Sequence, residues 1–179
     1  NARKLLAALG TEVETANSDA LSEVAFSSSV DGTNKKVKLD NLKLVLDNTN
    51  FSGSIGITDF TTSALKLVLD GDVINVDDYL PPPRDASKET VATVPAEDTL
   101  LPLESLRGLN INAKLALKKM IFNKIALENI ALQVLAKNGM IEQNLTAEAY
   151  AGVITAKGQL DARGHQAQVQ FDAGVEGLE

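Results

Sequence analysis

The 179-residue chain contains no cysteine, no tryptophan and only one histidine. Without cysteine it has no disulfide framework, no zinc–thiolate site and no thiol nucleophile. Aromatic residues make up 4% of the chain, so the aromatic platforms on which nucleic-acid bases stack have little support. The net charge is −7, whereas nucleic-acid-binding domains normally present a basic field. Composition therefore argues against nucleic acid as a partner.

The sequence motifs of common catalytic sites are also missing. No G-x-S-x-G elbow, G-x-G-x-x-G fingerprint or Walker pattern occurs. His165 lies in the turn-like stretch 161–165, and we interpret it as an exposed turn residue rather than a catalytic base. The aspartates within 70–78 lack the ligand spacing of a calcium loop, because Ile74 and Val76 occupy positions where oxygen ligands are needed. We expect no catalytic, cofactor-binding or metal-binding residues, and a protein that is not an enzyme.

Long apolar runs are absent as well. No segment approaches the roughly 20 apolar residues that span a bilayer as a helix. The chain begins at Asn1 without a signal peptide and stops shortly after a strand-like segment. We therefore expect it to be a segment of a longer protein, with any anchor or targeting element lying outside it.

One eight-residue phrase is present twice. The sequence VKLDNLKL occupies 37–44 and IALENIAL occupies 125–132. In both copies the apolar residues change parity at the acid–asparagine step, Asp40-Asn41 and Glu128-Asn129. Side chains alternate between the faces of a strand, so this change would turn the apolar set over. A bulge or bend at both steps would keep one face apolar, and we predict one at each.

Alternation of apolar and polar residues predicts strands along most of the chain. The predicted fold is mainly β, with curved antiparallel sheets built from two related repeat units. A short helix precedes each unit, and the sheets form an open groove or a sandwich. The first unit is predicted at 1–84, a linker or mobile loop at 85–98, and the second unit at 99–179, with its short helix at about 102–108.

The aliphatic strand faces require cover, which the predicted short helices cannot supply. Either the two units close on each other as a sandwich, or one apolar face stays open as a groove. An open aliphatic groove in water costs roughly 25 cal/mol per Å² unless a lipid chain fills it. Periodicity alone leaves both arrangements open.

Several longer stretches carry a family resemblance. They are ARKLLAALG at 2–10, NVDDYLPPP at 75–83, LPLESLRGLNINAKLALKKM at 101–120, IALENIALQVLAKNGMI at 125–141 and AEAYAGVITAKGQLDARG at 147–164. With these in collinear order, the chain resembles the AsmA family of Gram-negative bacteria, specifically its AsmA-like carboxy-terminal region. Two departures are the absence of the family's amino-terminal membrane helix and the sequence Tyr150-Ala151-Gly152 where the family pattern has Tyr-Gly-Gly.

The resemblance implies a non-enzymatic role in outer-membrane biogenesis. AsmA-like proteins are anchored in the inner membrane, project into the periplasm, and are related to TamB and to bridge-like lipid transfer proteins. By this resemblance we expect a periplasmic domain that binds or conducts phospholipid along an aliphatic β-groove. The alternative is an interaction module that influences porin assembly, with outer-membrane assembly factors as partners at an edge strand. The residues expected to face lipid are Leu42, Leu44, Leu46, Leu65, Leu67, Leu69, Ile130, Leu132, Val134, Val169 and Phe171.

Overall fold

The computed structural model describes Arg3, residues 15–81 and residues 103–177. These residues form one nine-stranded sheet in which the strands follow chain order from β1 to β9. The strands are β1 (Val24–Gly32), β2 (Val37–Leu46), β3 (Thr49–Asp59), β4 (Ala64–Asn75), β5 (Ile111–Phe122), β6 (Ile125–Lys137), β7 (Met140–Ala149), β8 (Gly152–Asp161) and β9 (Gln168–Glu176). A 3₁₀ turn, η1 (Val76–Asp78), follows β4, and a short helix, α1 (Leu103–Arg107), precedes β5.

Neighbouring strands are antiparallel, with one exception. β4 and β5 run parallel, in register from Leu65 opposite Ile111 to Asn75 opposite Ile121. A parallel pair requires the chain to cross from one end of the sheet to the other, and this crossing takes place between η1 and α1. The strands of both predicted repeat units therefore belong to one continuous sheet.

The predicted mainly-β fold is confirmed, and the sheet is open. β1 and β9 are its edges and do not pair with each other. Of the two arrangements that the sequence left open, the described strands form the open one. α1 confirms the helix predicted at about 102–108. The short helix predicted before the first unit, in the stretch ARKLLAALG at 2–10, lies outside the described residues apart from Arg3, as does the linker predicted at 85–98. The unit boundaries stay predictions.

Both predicted bulges are present. Leu39 pairs with Ile55 but Leu42 pairs with Gly53, so β2 has one residue more than β3 at Asp40-Asn41. The second bulge lies in β6, where Glu128 pairs with Glu148 and Ala131 with Thr146. Asn41 has a φ of 52° and Asn129 a φ of 49°. Asparagine tolerates this left-handed conformation better than most residues, which explains its place in both copies of the phrase.

The apolar residues also change parity in β5, which lies outside both copies of the repeated phrase. The register between β5 and β6 is unbroken past Asn129, because β5 changes parity at the same level. Leu117 and Met120 of β5, three residues apart, both pack in the cluster around Ile130. We call the level of the two bulges and of this β5 step the crease. The most buried large side chains, including Leu42, lie beside it.

A substitution at Asn41 tests the crease. Asn41→Val should lower the free energy of unfolding by about 1–2 kcal/mol, because a β-branched residue is strained at positive φ. Asn41→Gly should leave stability nearly unchanged, since glycine adopts this conformation without a steric cost. Urea denaturation of the two variants measures the difference. Equal stability of the two would show that the left-handed residue is not what bends β2.

Candidate functional site

The site is one side of the sheet. Residues in register on neighbouring strands project to the same side, so the registers trace rows across the sheet. Three rows run from β2 to β9: Val37-Ile57-Leu65-Ile111-Ala136-Ile141-Leu160-Val169, Leu39-Ile55-Leu67-Ala113-Val134-Gln143-Gly158-Phe171 and Leu42-Gly53-Leu69-Leu115-Leu132-Leu145-Ala156-Ala173. A fourth runs from β1 to β6: Phe26-Leu44-Phe51-Gly71-Leu117-Ile130. We call the side that carries these four rows the apolar face.

The other side of the sheet is polar. One of its rows crosses β5 to β9 as Lys114-Gln133-Asn144-Lys157-Asp172, directly behind the aliphatic rows. Lys119 and Glu128 form an ion pair on this side, with 3.6 Å between Nζ and Oε1. One side of the sheet is therefore suited to water and the other to hydrocarbon.

The apolar face is only partly buried. Leu42, Leu117 and Ile130 are 4–6% exposed, but most other members are half-buried. At the β9 edge, Val169 is 65% and Phe171 64% exposed. The described strands form a single layer in which each strand packs on its sheet neighbours. Within the described ranges, no second sheet covers the face.

Side chains at the crease are closely packed. Leu117, Ile130 and Ala147 form the buried cluster, and Phe51 packs against it. A Cβ at Gly71 would lie 2.5 Å from Leu117 Cδ2 and 2.8 Å from the Phe51 ring. Because Gly71 has no side chain, Leu117 and Phe51 can occupy the space beside it. The apolar face is tightly packed at the crease, whereas its side chains on the edge strands are exposed.

The structure places all eleven residues predicted to face lipid on the apolar face. They come from four strands: Leu42, Leu44 and Leu46 from β2, Leu65, Leu67 and Leu69 from β4, Ile130, Leu132 and Val134 from β6, and Val169 and Phe171 from β9. Leu42 and Ile130 are buried at the crease. The other nine retain exposed surface, and whether lipid contacts them stays a prediction.

Sequence reasoning assigned no lipid-facing residue to β1, β3, β5, β7 or β8. These strands add, among others, Phe26, Ile55, Leu115, Leu145 and Leu160 to the rows. The alternation of β5, with Leu115 and Leu117 two residues apart, was a visible signal. Nothing in the sequence indicated, however, that β5 lies beside β4 and so joins the rows of the two units.

Asp47 organises the polar rim at one end of the strands. Its carboxylate accepts hydrogen bonds from the backbone N–H groups of Leu21, Ser22 and Glu23 at 2.8–2.9 Å. The hydroxyl of Tyr79 donates to Asp47 Oδ2 at 2.9 Å. Partial burial opposes ionisation, but these hydrogen bonds outweigh it and lower the pKa of Asp47 below 3.8. Partial burial, followed by the hydrogen bond to Asp47, raises the pKa of Tyr79 to about 12.

Two further contacts connect turns across the sheet. The Asp77 carboxylate accepts from the backbone N–H groups of Asn123 and Lys124 at 2.7 and 2.8 Å, which joins η1 to the β5–β6 turn. At the opposite end of the strands, Arg107 Nε of α1 donates to the Ala162 carbonyl at 2.7 Å. Each contact lies at one end of the strands, outside the four rows of the apolar face.

Polar chemistry elsewhere in the described part is sparse. His165 is exposed in the bend between β8 and β9. No group of three or more histidine, aspartate or glutamate side chains among the described residues is arranged to hold a metal ion. No helix in that part of the chain is long and apolar enough to cross a membrane. The apolar face is thus the feature that distinguishes this domain.

Comparison of the chain with protein-family models, curated proteins and solved structures finds no match.

Removal of the Tyr79 hydroxyl tests the Asp47 rim. Tyr79→Phe should lower the free energy of unfolding near neutral pH by about 1 kcal/mol, because one hydrogen bond to the carboxylate is lost. It should also raise the pKa of Asp47 towards 3.8. Because folding depresses this pKa, the stability that Asp47 contributes is present above the unfolded-state pKa and is lost as pH falls through the folded-state value.

Urea denaturation and a carboxyl carbon NMR titration measure the two effects. Tyr150→Phe is the matched control, since Tyr150 is 67% exposed and should change neither quantity. An unchanged Asp47 titration in Tyr79→Phe would show that the 2.9 Å contact is not maintained in solution.

Proposed function

We propose that this chain is a non-enzymatic periplasmic domain that binds or conducts phospholipid along the apolar face, within an inner-membrane-anchored protein of outer-membrane biogenesis. One observation carries the proposal: four rows of mainly aliphatic side chains share one side of an open sheet, and the other side is mainly polar. The resemblance to the AsmA family supports the cellular setting.

The dimensions of the face suit acyl chains. Strands lie about 4.8 Å apart, so nine strands span roughly 40 Å. The hydrocarbon core of a bilayer is about 30 Å thick, so an acyl chain of one leaflet extends roughly 15 Å. The rows are therefore long enough for acyl chains to lie along them across several strands. Headgroups would then point away from the apolar face, towards water.

Energetics favour lipid as the occupant. Exposed apolar surface costs about 25 cal/mol per Å², and each methylene transferred from water gains about 0.8 kcal/mol. Leu132 and Val134 lie near the middle of the rows and are half-buried, so a chain placed there removes apolar area from water on both partners. Aliphatic side chains also pack against flexible acyl chains without the preferred orientations that aromatic rings impose.

Site-specific photocrosslinking tests the lipid contact. A benzophenone amino acid at Leu132, in the third row, should crosslink phospholipid when the domain is exported to the bacterial periplasm. The same amino acid at the neighbouring Gln133, on the polar side, should give little lipid adduct, because successive side chains point to opposite faces. Mass spectrometry of the crosslinked protein identifies the adduct. Equal labelling at the two positions, or none at either, would contradict the proposal.

A second function is favoured by the β9 edge. All nine residues of Gln168–Glu176 are exposed, and the strand contains neither lysine nor proline, two residues that commonly block strand addition. The alternative function is therefore an interaction module that pairs through β9 with an outer-membrane assembly factor.

A charge on β9 separates the two functions. Gln170→Lys places an ammonium group on the polar side of the edge strand, opposite Gln159 of β8, which should abolish strand addition while lipid binding on the apolar face persists. Envelope crosslinking followed by affinity purification measures the partner, and native mass spectrometry measures the lipid. Ala116→Lys, on the polar side of the central strand β5, is the control. A protein partner lost only in Gln170→Lys, from a domain that never carries lipid, would favour the alternative.

A further inference from the structure

One side chain interrupts the three rows that run from β2 to β9. Every member of these rows is aliphatic, phenylalanine, alanine or glycine except Gln143 of β7. Gln143 is half-buried, and its neighbours in the second row are Val134 and Gly158. A carboxamide placed among hydrocarbon side chains requires a hydrogen-bond partner once water leaves.

The fold leaves a niche for this carboxamide. Gly158 of β8 lies directly opposite Gln143, and a Cβ there would lie 3.0 Å from Gln143 Oε1 and 3.5 Å from Phe171 Cδ2. The missing side chain thus provides room for both the amide and the ring. The Gln143 carboxamide lies over the β8 backbone, next to the Phe171 ring and within the apolar face.

The carboxamide is available to a ligand. Some amides on the polar side have protein partners; Asn129 Nδ2, for example, donates to Glu148 Oε2 at 2.7 Å. The Gln143 side chain is half-buried rather than buried, so part of it is reachable from outside the protein. Water can satisfy it while the face is empty.

Acyl chains that cover the second row would displace this water. A bound lipid then loses affinity unless it brings a hydrogen-bond acceptor to the same depth. The ester carbonyl of an acyl lipid has this property, because it is neutral and lies where the acyl chain begins. A phosphate is a poorer match, since Lys157, next to Gly158 in sequence, projects to the polar side.

We infer that Gln143 Nε2 donates a hydrogen bond to an ester carbonyl oxygen of a bound acyl lipid and thereby positions the glycerol backbone over β7 and β8. This inference rests on the proposed lipid function and assigns to Gln143 the recognition of ester-linked lipids. The aliphatic rows contribute affinity without regard to linkage, whereas Gln143 distinguishes an ester from an ether.

Two water-soluble lipids with one headgroup test the assignment: dihexanoylphosphatidylglycerol and its dihexyl ether analogue. In isothermal titration calorimetry, the unsubstituted chain should bind the ester about threefold to tenfold more tightly than the ether. This is the range expected for one neutral hydrogen bond. Gln143→Leu should reduce this ratio to about one while binding the ether at least as tightly as the unsubstituted protein, since leucine extends the apolar row.

Gln133→Leu is the matched control, because Gln133 lies on the polar side in the adjacent strand, and it should keep the ester preference. Gly158→Ala is a second variant that crowds the amide without removing it, and it should lower the preference. Isotope-edited infrared spectroscopy gives a separate readout: the ester carbonyl band of the bound lipid should lie at lower frequency in the unsubstituted protein than in Gln143→Leu, where the carbonyl has no amide donor.

The outcomes separate this inference from the proposed function. If the unsubstituted protein binds both lipids equally, or if Gln143→Leu keeps the ester preference, the role of Gln143 is overturned and lipid binding stands. If the unsubstituted protein binds neither lipid, the proposed function fails and the inference fails with it. A preference lost in both Gln143→Leu and Gln133→Leu would mark a general effect of the substitution and also overturn the assignment.

Discussion

The structure depends on keeping hydrocarbon on one side of a sheet that bends. A strand places successive side chains on opposite sides, so any bend that adds a residue moves the apolar set to the wrong side unless the sequence compensates. Asn41 and Asn129 form the two bulges at positive φ. The apolar residues compensate, because their parity changes from one side of each bulge to the other. Because β5 changes parity at the same level as β6, the register between them is unbroken. The crease therefore continues across strands in which no repeat marks it.

Polar contacts complete the sheet without entering the apolar face. Asp47 and Asp77 use carboxylates to satisfy backbone N–H groups at one end of the strands, and Arg107 binds a carbonyl at the other. These groups replace hydrogen bonds that turns leave unmade. Since each of them lies at a rim, the rows between the rims remain hydrocarbon, apart from Gln143. A single amide in such a setting is informative because an unmet hydrogen-bonding group is costly there.

An open single-layer sheet with an aliphatic face leaves much of its apolar surface in water. Proteins rarely expose contiguous apolar patches of more than a few hundred Å² without a function for them. The exposure increases towards both edges, where Phe26 of β1 is 60% exposed and Val169 and Phe171 of β9 are about two-thirds exposed, whereas the crease is tightly packed. This gradient is compatible with both proposed occupants, lipid along the rows and a strand at the β9 edge. The two occupants differ in what they contact. Lipid would cover apolar side chains along the rows, whereas an added strand would form hydrogen bonds with the backbone groups of β9.

The sequence by itself determined the strands, their apolar parity and the positions of both bulges, because these follow from local alternation and from the tolerance of asparagine for positive φ. All eleven residues chosen from that alternation lie on the apolar face. Only the tertiary structure decided that β4 pairs in parallel with β5, which fuses the rows of two units into one face, and that the sheet stays open. Strand pairing across a long connection is a nonlocal choice that periodicity does not encode. The niche of Gln143 is nonlocal for the same reason, since Gly158 and Phe171 meet it only through the registers of β7, β8 and β9.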